Sequence, residues 1–414
     1  MGSVAVLHSA QLMTLAGPAR PRSGAEMREL GIISGGGMLV RDGVIEQVGS
    51  SEEIERNLPN DADVLEARGR VVLPGFVDAH AHPVFGGDRV EEFEMRARGA
   101  TYEEIAAQGG GIRSTVRKTR AASEEELLAL AQKRAEWFLR CGTTTMEAKS
   151  GYGLSLEEEL KMLRVIRRLN ETTPIEFVAT FLGAHALPEE YEDRPNEYAD
   201  CLVEEMLPEV VRQELAEYCD IFCEHGYFDA VSTRRVLSAA RAAGLQLRMH
   251  ADQLTNSGGA ALAAELGAVT ADHLEQTEEE GIAAMKAAGV QPVLLPASVY
   301  SLGKTRYPMA RDMIDAGLAA VLATDFNPGS SPTPSLPMVM SLACTQMKMT
   351  PAECLTSITV NAAYSLGRGG RIGSLEVGKR ADFVVCDCED YRELAYWFGL
   401  PLIHSVYIRG RREL

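Results

Sequence analysis

At 414 residues the chain suits a barrel of about 250 residues plus a second domain, and a composition 46% apolar and 24% charged is ordinary for a globular protein. A formal net charge of −18 argues against a nucleic-acid backbone or an anionic membrane as partner. The eight cysteines form no CxxC pair or disulfide-like framework, the N-terminus lacks a signal peptide's basic start, and no apolar run reaches the roughly 18 residues of a membrane span. A cytoplasmic protein with reduced thiols is expected.

Residues 1 to about 72 read as short strands. Within them residues 38–48 place Asp42-Gly43 between two alternating apolar runs, a strong hairpin signal. From residue 74 the pattern becomes strand, loop, helix, repeated. Apolar runs fall at 73–82, 143–149, 176–185, 219–225, 246–252, 268–273, 291–296 and 319–325, with helical stretches such as 124–140 and 156–168 between them. Eight βα units in succession predict a parallel barrel with helices outside. After about residue 366 the helical period stops, and residues 373–387 and 404–410 read as strands again. Two terminal β segments flanking a barrel form a compact unit only by pairing with each other. The expected architecture is therefore α/β, a TIM-like (β/α)8 barrel over residues 74–365. A small composite β-sandwich domain from both chain ends, 1–73 and 366–414, completes it.

Residues 71–89 read VVLPGFVDAHAHPVFGGDR. Residues two apart on a strand share a face, so His80 and His82 present their imidazoles side by side at a strand's carboxyl end. Alone, this HxH fits half a metal site and a pair of histidines satisfied by backbone or water equally well. Barrel active sites lie at the carboxyl ends of the strands. The other predicted ends carry His185, Glu224-His225, His250-Ala251-Asp252-Gln253, Asp272-His273 and Asp325, so that six of the eight histidines in the chain fall at such positions. His80, His82, His250 and Asp325 make a three-nitrogen, one-oxygen set suited to Zn²⁺ or Fe²⁺, with room for a water whose pKa the metal would bring to about 7. Asp325 can accept that water's proton, and His273 can brace Asp325 or an oxyanion.

Together these residues resemble the amidohydrolase superfamily. The marks are the HxH of LPGFVDAHAH, Asp325 and the closing GSLEVGKRADFVV. Within the superfamily FGGDR, GGGIRST, KSGYGL, FLGAHALP, HADQL, TADHLE and TDFNPGS, in order along the chain, are similar to the imidazolonepropionase family of histidine degradation. The resemblance implies a metal-dependent hydrolase that opens the cyclic amide of 4-imidazolone-5-propanoate to N-formimidoyl-L-glutamate. It implies His80, His82, His250 and Asp325 as metal ligands, and Asp325, His273 and His185 as the catalytic groups. Arg89, Tyr152, His185, Gln253, Asn327, Gly329 and Ser330 would contact the small-molecule substrate. Binuclear relatives carry a carboxylated lysine on strand 4, where this chain has Glu224 and His225. One divalent metal is therefore implied, Zn²⁺ or Fe²⁺/Fe³⁺, in a homodimer.

Several of these residues also have plainer readings. Arg89 follows two glycines and is either a solvated loop arginine or a bidentate partner for a carboxylate. Tyr152 either packs over the barrel rim or enters the site. Glycines 109–111 lack the lysine of a phosphate-binding loop and read as a mobile loop or lid. Residues 327–330 are turn chemistry beside Asp325, and Cys219 and Cys223 read as core thiols. Two rival functions are a related hydrolase or deaminase for another cyclic C–N substrate, and an inactive barrel scaffold. The scaffold would be expected to have lost ligands, and all four are present.

Overall fold

The computed structural model describes residues 2–101, 104–105 and 109–414. Its central sheet has eight strands in sequential order. They are β1 (Phe76–Asp78), β2 (Thr143–Lys149), β3 (Glu176–Ala184), β4 (Tyr218–Cys223), β5 (Gln246–Ala251), β6 (Thr270–His273), β7 (Gln291–Leu294) and β8 (Val321–Leu322), every neighbouring pair parallel. Almost all their residues are buried, as expected of strands covered on both faces. The ring closes just beyond the regular strands, where Ala81 and Phe326 form a parallel bridge. His82 N–H donates to Phe326 O at 2.8 Å, and Asp325 N–H donates to His80 O at 3.0 Å.

Helices form between the strands because their apolar residues recur at helical spacing and their ends are capped. Helix Glu124–Arg140 opens on a Ser123/Glu126 capping box and buries Leu127, Leu128, Ala131, Ala135 and Phe138 toward the sheet. Helix Ala230–Ala242 is capped by Asp229, whose side chain accepts from Ser232 N–H. None of the described helices is long and apolar enough to cross a membrane.

Two smaller sheets lie outside the barrel, the first built from N-terminal strands and the second from both chain ends. One pairs strands Val44–Ser50, Gly36–Arg41, Ser3–Ser9 and Asp63–Glu66; the other runs Arg411–Arg412, Ile403–Ile408, Phe383–Cys386, Val71–Pro74, Gln11–Met13 and Ile32–Ile33. Between them lies a core of Val6, Leu12, Met38, Val40, Val72, Phe383, Val385 and Tyr407, the expected composite sandwich. At the predicted hairpin Arg41 pairs with Val44, and Asp42 and Gly43 have φ of +50° and +83°, the left-handed pair that a two-residue primed turn requires. Beneath the barrel, Glu176 at the start of β3 joins Arg368 (2.8 Å), Arg371 (3.0 Å) and Arg380 from the C-terminal segment.

One predicted strand is two. The run 73–82 divides at Gly75: Val71–Pro74 pairs antiparallel with Phe383–Cys386 in the sandwich, while β1 alone enters the barrel. Gly75 N–H donates to Asp382 O and Phe76 N–H to Gly142 O. A Cβ at Gly75 would sit 2.3 Å from Thr144 Oγ1, so the crossing between sheets needs glycine. The last strand is also shorter than predicted, two regular residues instead of 319–325, because the chain leaves the ladder before Asp325.

Candidate active site

The carboxyl ends of the barrel strands carry the least relaxed backbone in this part of the molecule. Leu154, Asp252, His273, Leu274 and Asp325 all have φ between +51° and +80°. A non-glycine residue there costs on the order of 1–3 kcal/mol, tolerated where the surroundings over-determine it. At Asp252 the determinants are visible. Its carboxylate accepts from the backbone N–H of Ser257, Gly259 and Ala260 and from the Thr277 hydroxyl.

Five histidines meet above β1 to β6. Ring centroids lie 4.5 Å apart for His80 and His250, 5.3 Å for His80 and His82, 5.3 Å for His250 and His273, and 5.0 Å for His82 and His185. His80, His82, His250, His273 and Asp325 are buried and His185 is half-buried. In four of the rings Nδ1 lies close to an acceptor, and at His250 the approach falls outside hydrogen-bond geometry. His80 Nδ1 is 2.6 Å from Asp272 Oδ2, His250 Nδ1 2.9 Å from Asp220 Oδ2, His273 Nδ1 3.3 Å from Glu275 Oε1 and His185 Nδ1 3.0 Å from Gly151 O. A carbonyl or ionised carboxylate can only accept, so the neutral rings of His80 and His185 carry the proton on Nδ1 and keep the Nε2 lone pair, while a protonated His273 keeps an N–H on Nε2 as well. His80 Nε2 and His82 Nε2 each stop 3.6 Å from the same oxygen, Asp325 Oδ1.

This donor set fits a cation. His80 Nε2 and His82 Nδ1 are buried with no hydrogen-bond partner among the described residues, a cost of about 1–3 kcal/mol per orphaned group. Ligand atoms lie within 4.8 Å of one another in four overlapping sets among the described residues: His80, His82 and Asp325; His80, His250 and His273; His82, His185 and His250; His80, Glu147 and Asp272. Burial, reinforced by Lys149 at His80 and by His185 at His82, holds both imidazoles well below the ordinary range. Burial also brings His185 and His250 down to about 4, against the pull of Asp220 on His250. All four are therefore neutral at pH 7, the form that binds metal. His273 goes the other way: burial lowers it, but Glu275 and Asp325 outweigh burial and raise it. Burial pushes Asp325 up to about 6, opposed by His273.

Below the histidines is a group of charges that the sequence reading assigned no role. Glu147, Lys149, Asp220, Arg248 and Asp272 are all fully buried inside the barrel. Lys149 Nζ is 2.6 Å from Asp220 Oδ2 and 2.9 Å from Glu147 Oε2; Arg248 Nε is 3.0 Å from Glu147 Oε1. The available signal was alternation: Glu147 and Lys149, and likewise Arg248 and His250, stand two apart in otherwise buried strands and so share the inward face.

Around the rim, Arg89 begins helix Val90–Ala97, with Nε donating to Glu92 Oε2 at 2.7 Å. A Cβ at Gly329 would come 2.2 Å from Arg89 Nη1, so this glycine lets the guanidinium lie against the 327–330 turn. Asn327 closes that turn, its Oδ1 accepting from the N–H of Gly329 and Ser330 and its Nδ2 donating to Asp325 O. Ser330 Oγ reaches Asp325 Oδ2 at 3.5 Å. Tyr152 is buried, its ring 5.3 Å from His185 and 5.9 Å from His82. Gln253 is half-buried on the segment leaving β5. Gly111 N–H donates to Glu92 Oε1 at 3.1 Å, which ties the glycine run to the Arg89 helix. Of the strand ends predicted to carry site residues, that of β4 stands apart: His225 is exposed, and Glu224 accepts from Leu254 and Thr255 N–H.

A sequence profile of the amidohydrolase family matches residues 71–412. The chain is 60% identical over 411 residues to an imidazolonepropionase of Solibacter usitatus, covering 99% of this chain and 98% of that one. To an imidazolonepropionase of Brevibacillus brevis it is 47% identical over 409 residues, 98% and 96% of the two chains. In fold it is similar to guanine deaminase of E. coli, with a TM-score of 0.73 at 16% identity over 100% of this chain and 99% of that one. A triazine hydrolase variant gives the same TM-score of 0.73, again at 16% identity, over 100% of this chain and 94% of that one. The chain belongs to the amidohydrolase family and, within it, to the imidazolonepropionases.

Proposed function

We propose that the protein hydrolyses the ring amide of 4-imidazolone-5-propanoate to N-formimidoyl-L-glutamate, with one zinc or iron ion held by His80, His82, His250 and Asp325. The observation that carries this is the convergence of His80 Nε2 and His82 Nε2 on Asp325 Oδ1 at 3.6 Å, with the His250 ring 4.5 Å from that of His80. When bound, the metal supplies Lewis acidity and a nucleophile at neutral pH.

The residues divide the remaining work. Asp325, held near 6 by burial, accepts the proton of the attacking water and returns it to the ring nitrogen as the C–N bond breaks. His273, raised by its acidic neighbours, donates to the oxyanion formed on the ring carbonyl, and His185 flanks the same space from its stack on His82. Tyr152 walls the pocket against water. Arg89 receives the propanoate, while Gln253, Gly329 and Ser330 line the ring's other side and Asn327 shapes the turn that carries them. Residues 74–365 act as the catalytic domain, with 1–73 and 366–414 as its support. A cytoplasmic homodimer completes the assignment; the eight free thiols are consistent with a reducing compartment.

The test is direct: purified protein is mixed with 4-imidazolone-5-propanoate and the loss of imidazolone absorbance is followed beside the appearance of formimidoylglutamate. Turnover with about one metal per chain is expected. A metal-replete protein that leaves this substrate intact but converts another cyclic C–N compound would overturn the assignment.

A further inference from the structure

We infer that Lys149 is a positioning residue for the metal centre proposed above. Its ammonium fixes the two carboxylates that aim His80 and His250. The inference rests on the metal-dependent hydrolysis just argued and adds to it the element that sets the geometry of two ligands at once.

The connection runs through two oxygen atoms. Asp220 Oδ2, 2.6 Å from Lys149 Nζ, is the atom 2.9 Å from His250 Nδ1. Asp272 Oδ2, 3.7 Å from the same Nζ, is the atom 2.6 Å from His80 Nδ1. One ammonium, the last residue of β2, therefore faces both carboxylates from below while the histidines face them from above. Asp220 Oδ1 also accepts from the backbone N–H of Ile221 and His250, which holds this carboxylate to the backbone of β4 and β5. Arg248 neutralises the opposite side of the cluster, contacting Glu147 at 3.0 Å and Asp272 at 3.8 Å.

Without the ammonium, the buried carboxylates of Asp220 and Asp272, on the strands flanking β5, would lose their shared counter-charge, with Arg248 left 3.8 Å from Asp272. Like charges in such a medium repel strongly, and each would turn toward whatever donor it could find. The imidazoles would turn with them. Lysine suits the position because its compact head spreads three donors from one point, whereas the flat guanidinium of arginine directs its donors into one plane. Partners outside the ligand sphere typically change metal affinity about 10- to 100-fold when removed.

The experiment uses metal-depleted full-length protein titrated with Co²⁺, whose visible absorption bands report ligand geometry. Affinity is read by competition with a chelator, and each variant is measured at a temperature where its circular dichroism is native. Lys149→Met should weaken Co²⁺ binding about 10- to 100-fold and alter the bands. Because a lone buried carboxylate pair can prevent folding, the charge-balanced Glu147→Gln/Lys149→Met variant is made beside it. Glu147 contacts neither imidazole in the way Asp220 and Asp272 do, so the double variant should show the same weakened binding. Glu147→Gln alone, which keeps the ammonium, should retain native bands. Either Lys149 variant, folded and binding Co²⁺ with native affinity and native bands, overturns the positioning role. A folded His80→Ala variant that takes up Co²⁺ as native protein does overturns the metal centre itself, and this inference with it.

Discussion

The guanidinium of Arg89 is gripped by Glu92, with Nε donating to Oε2 at 2.7 Å and Nη2 2.6 Å from the same oxygen. That contact occupies one edge of the fork and leaves Nη1 turned toward Gly329. Arg89 is thus held in place and still has a donor to offer a substrate carboxylate. Hydrogen bonds to charged groups contribute roughly 1.5–3 kcal/mol, so Arg89→Met should lower kcat/KM by about one to two orders of magnitude, with metal content unchanged. The deciding comparison uses an imidazolone without the carboxylate: it should be a poor substrate for native enzyme and no worse for the variant. Equal damage to both substrates would assign Arg89 to holding the helix.

Asp325→Asn keeps the shape of the side chain and removes its capacity to accept a proton. Turnover should fall by about 10²- to 10⁴-fold while the fold survives. The check is kcat on protein with its metal content measured in parallel. Near-native turnover with metal bound would send the proton elsewhere.

Metal content should approach one zinc or iron per chain, and His80→Ala and His250→Ala should each reduce it strongly, since both rings belong to the overlapping donor sets. Elemental analysis decides. Two tightly held ions, or full activity in metal-free protein, would contradict a single centre.

Glu176 predicts a pH dependence of stability. Burial pushes this carboxyl up, but Arg380 and Arg368 outweigh burial and hold it below the ordinary glutamate value. With the folded pKa below the unfolded one of about 4.3, its contribution is complete above that pH and is lost as pH falls through the folded value. Glu176→Gln should therefore cost about 1.5–3 kcal/mol at pH 7. The gap between native and variant Tm should close as the pH falls below the ordinary glutamate range and through the lowered folded value. A gap independent of pH would mean that packing, and not charge, sets the effect.

The barrel was legible because its strands are buried on both faces and interrupted by capped helices, so each apolar run announced itself. Gly75 was not. Its need for a missing side chain comes from Thr144, and its hydrogen bond from Asp382, 69 and 307 positions away. The histidines could be found because barrel chemistry gathers at strand ends, but that rule gives a height along the barrel and no direction. His225 is at the right height and faces solvent. The pairings of His80 with Asp272 and of Lys149 with Asp220 span 192 and 71 residues, and nothing in one sequence specifies such partners.

The seam of the ring has a thermodynamic consequence. Its first and last strands are joined by the backbone of residues 80–82 and 325–326, the segments whose side chains form the candidate centre. An ion drawing His80, His82 and Asp325 together would also clasp the two edges of the sheet, and its binding energy would add to the resistance of that seam against local opening. Chelation should then speed amide hydrogen exchange at His82 and Asp325 well before it does so in the middle of β3. An even loss of protection around the whole ring would show that closure and ion binding are independent.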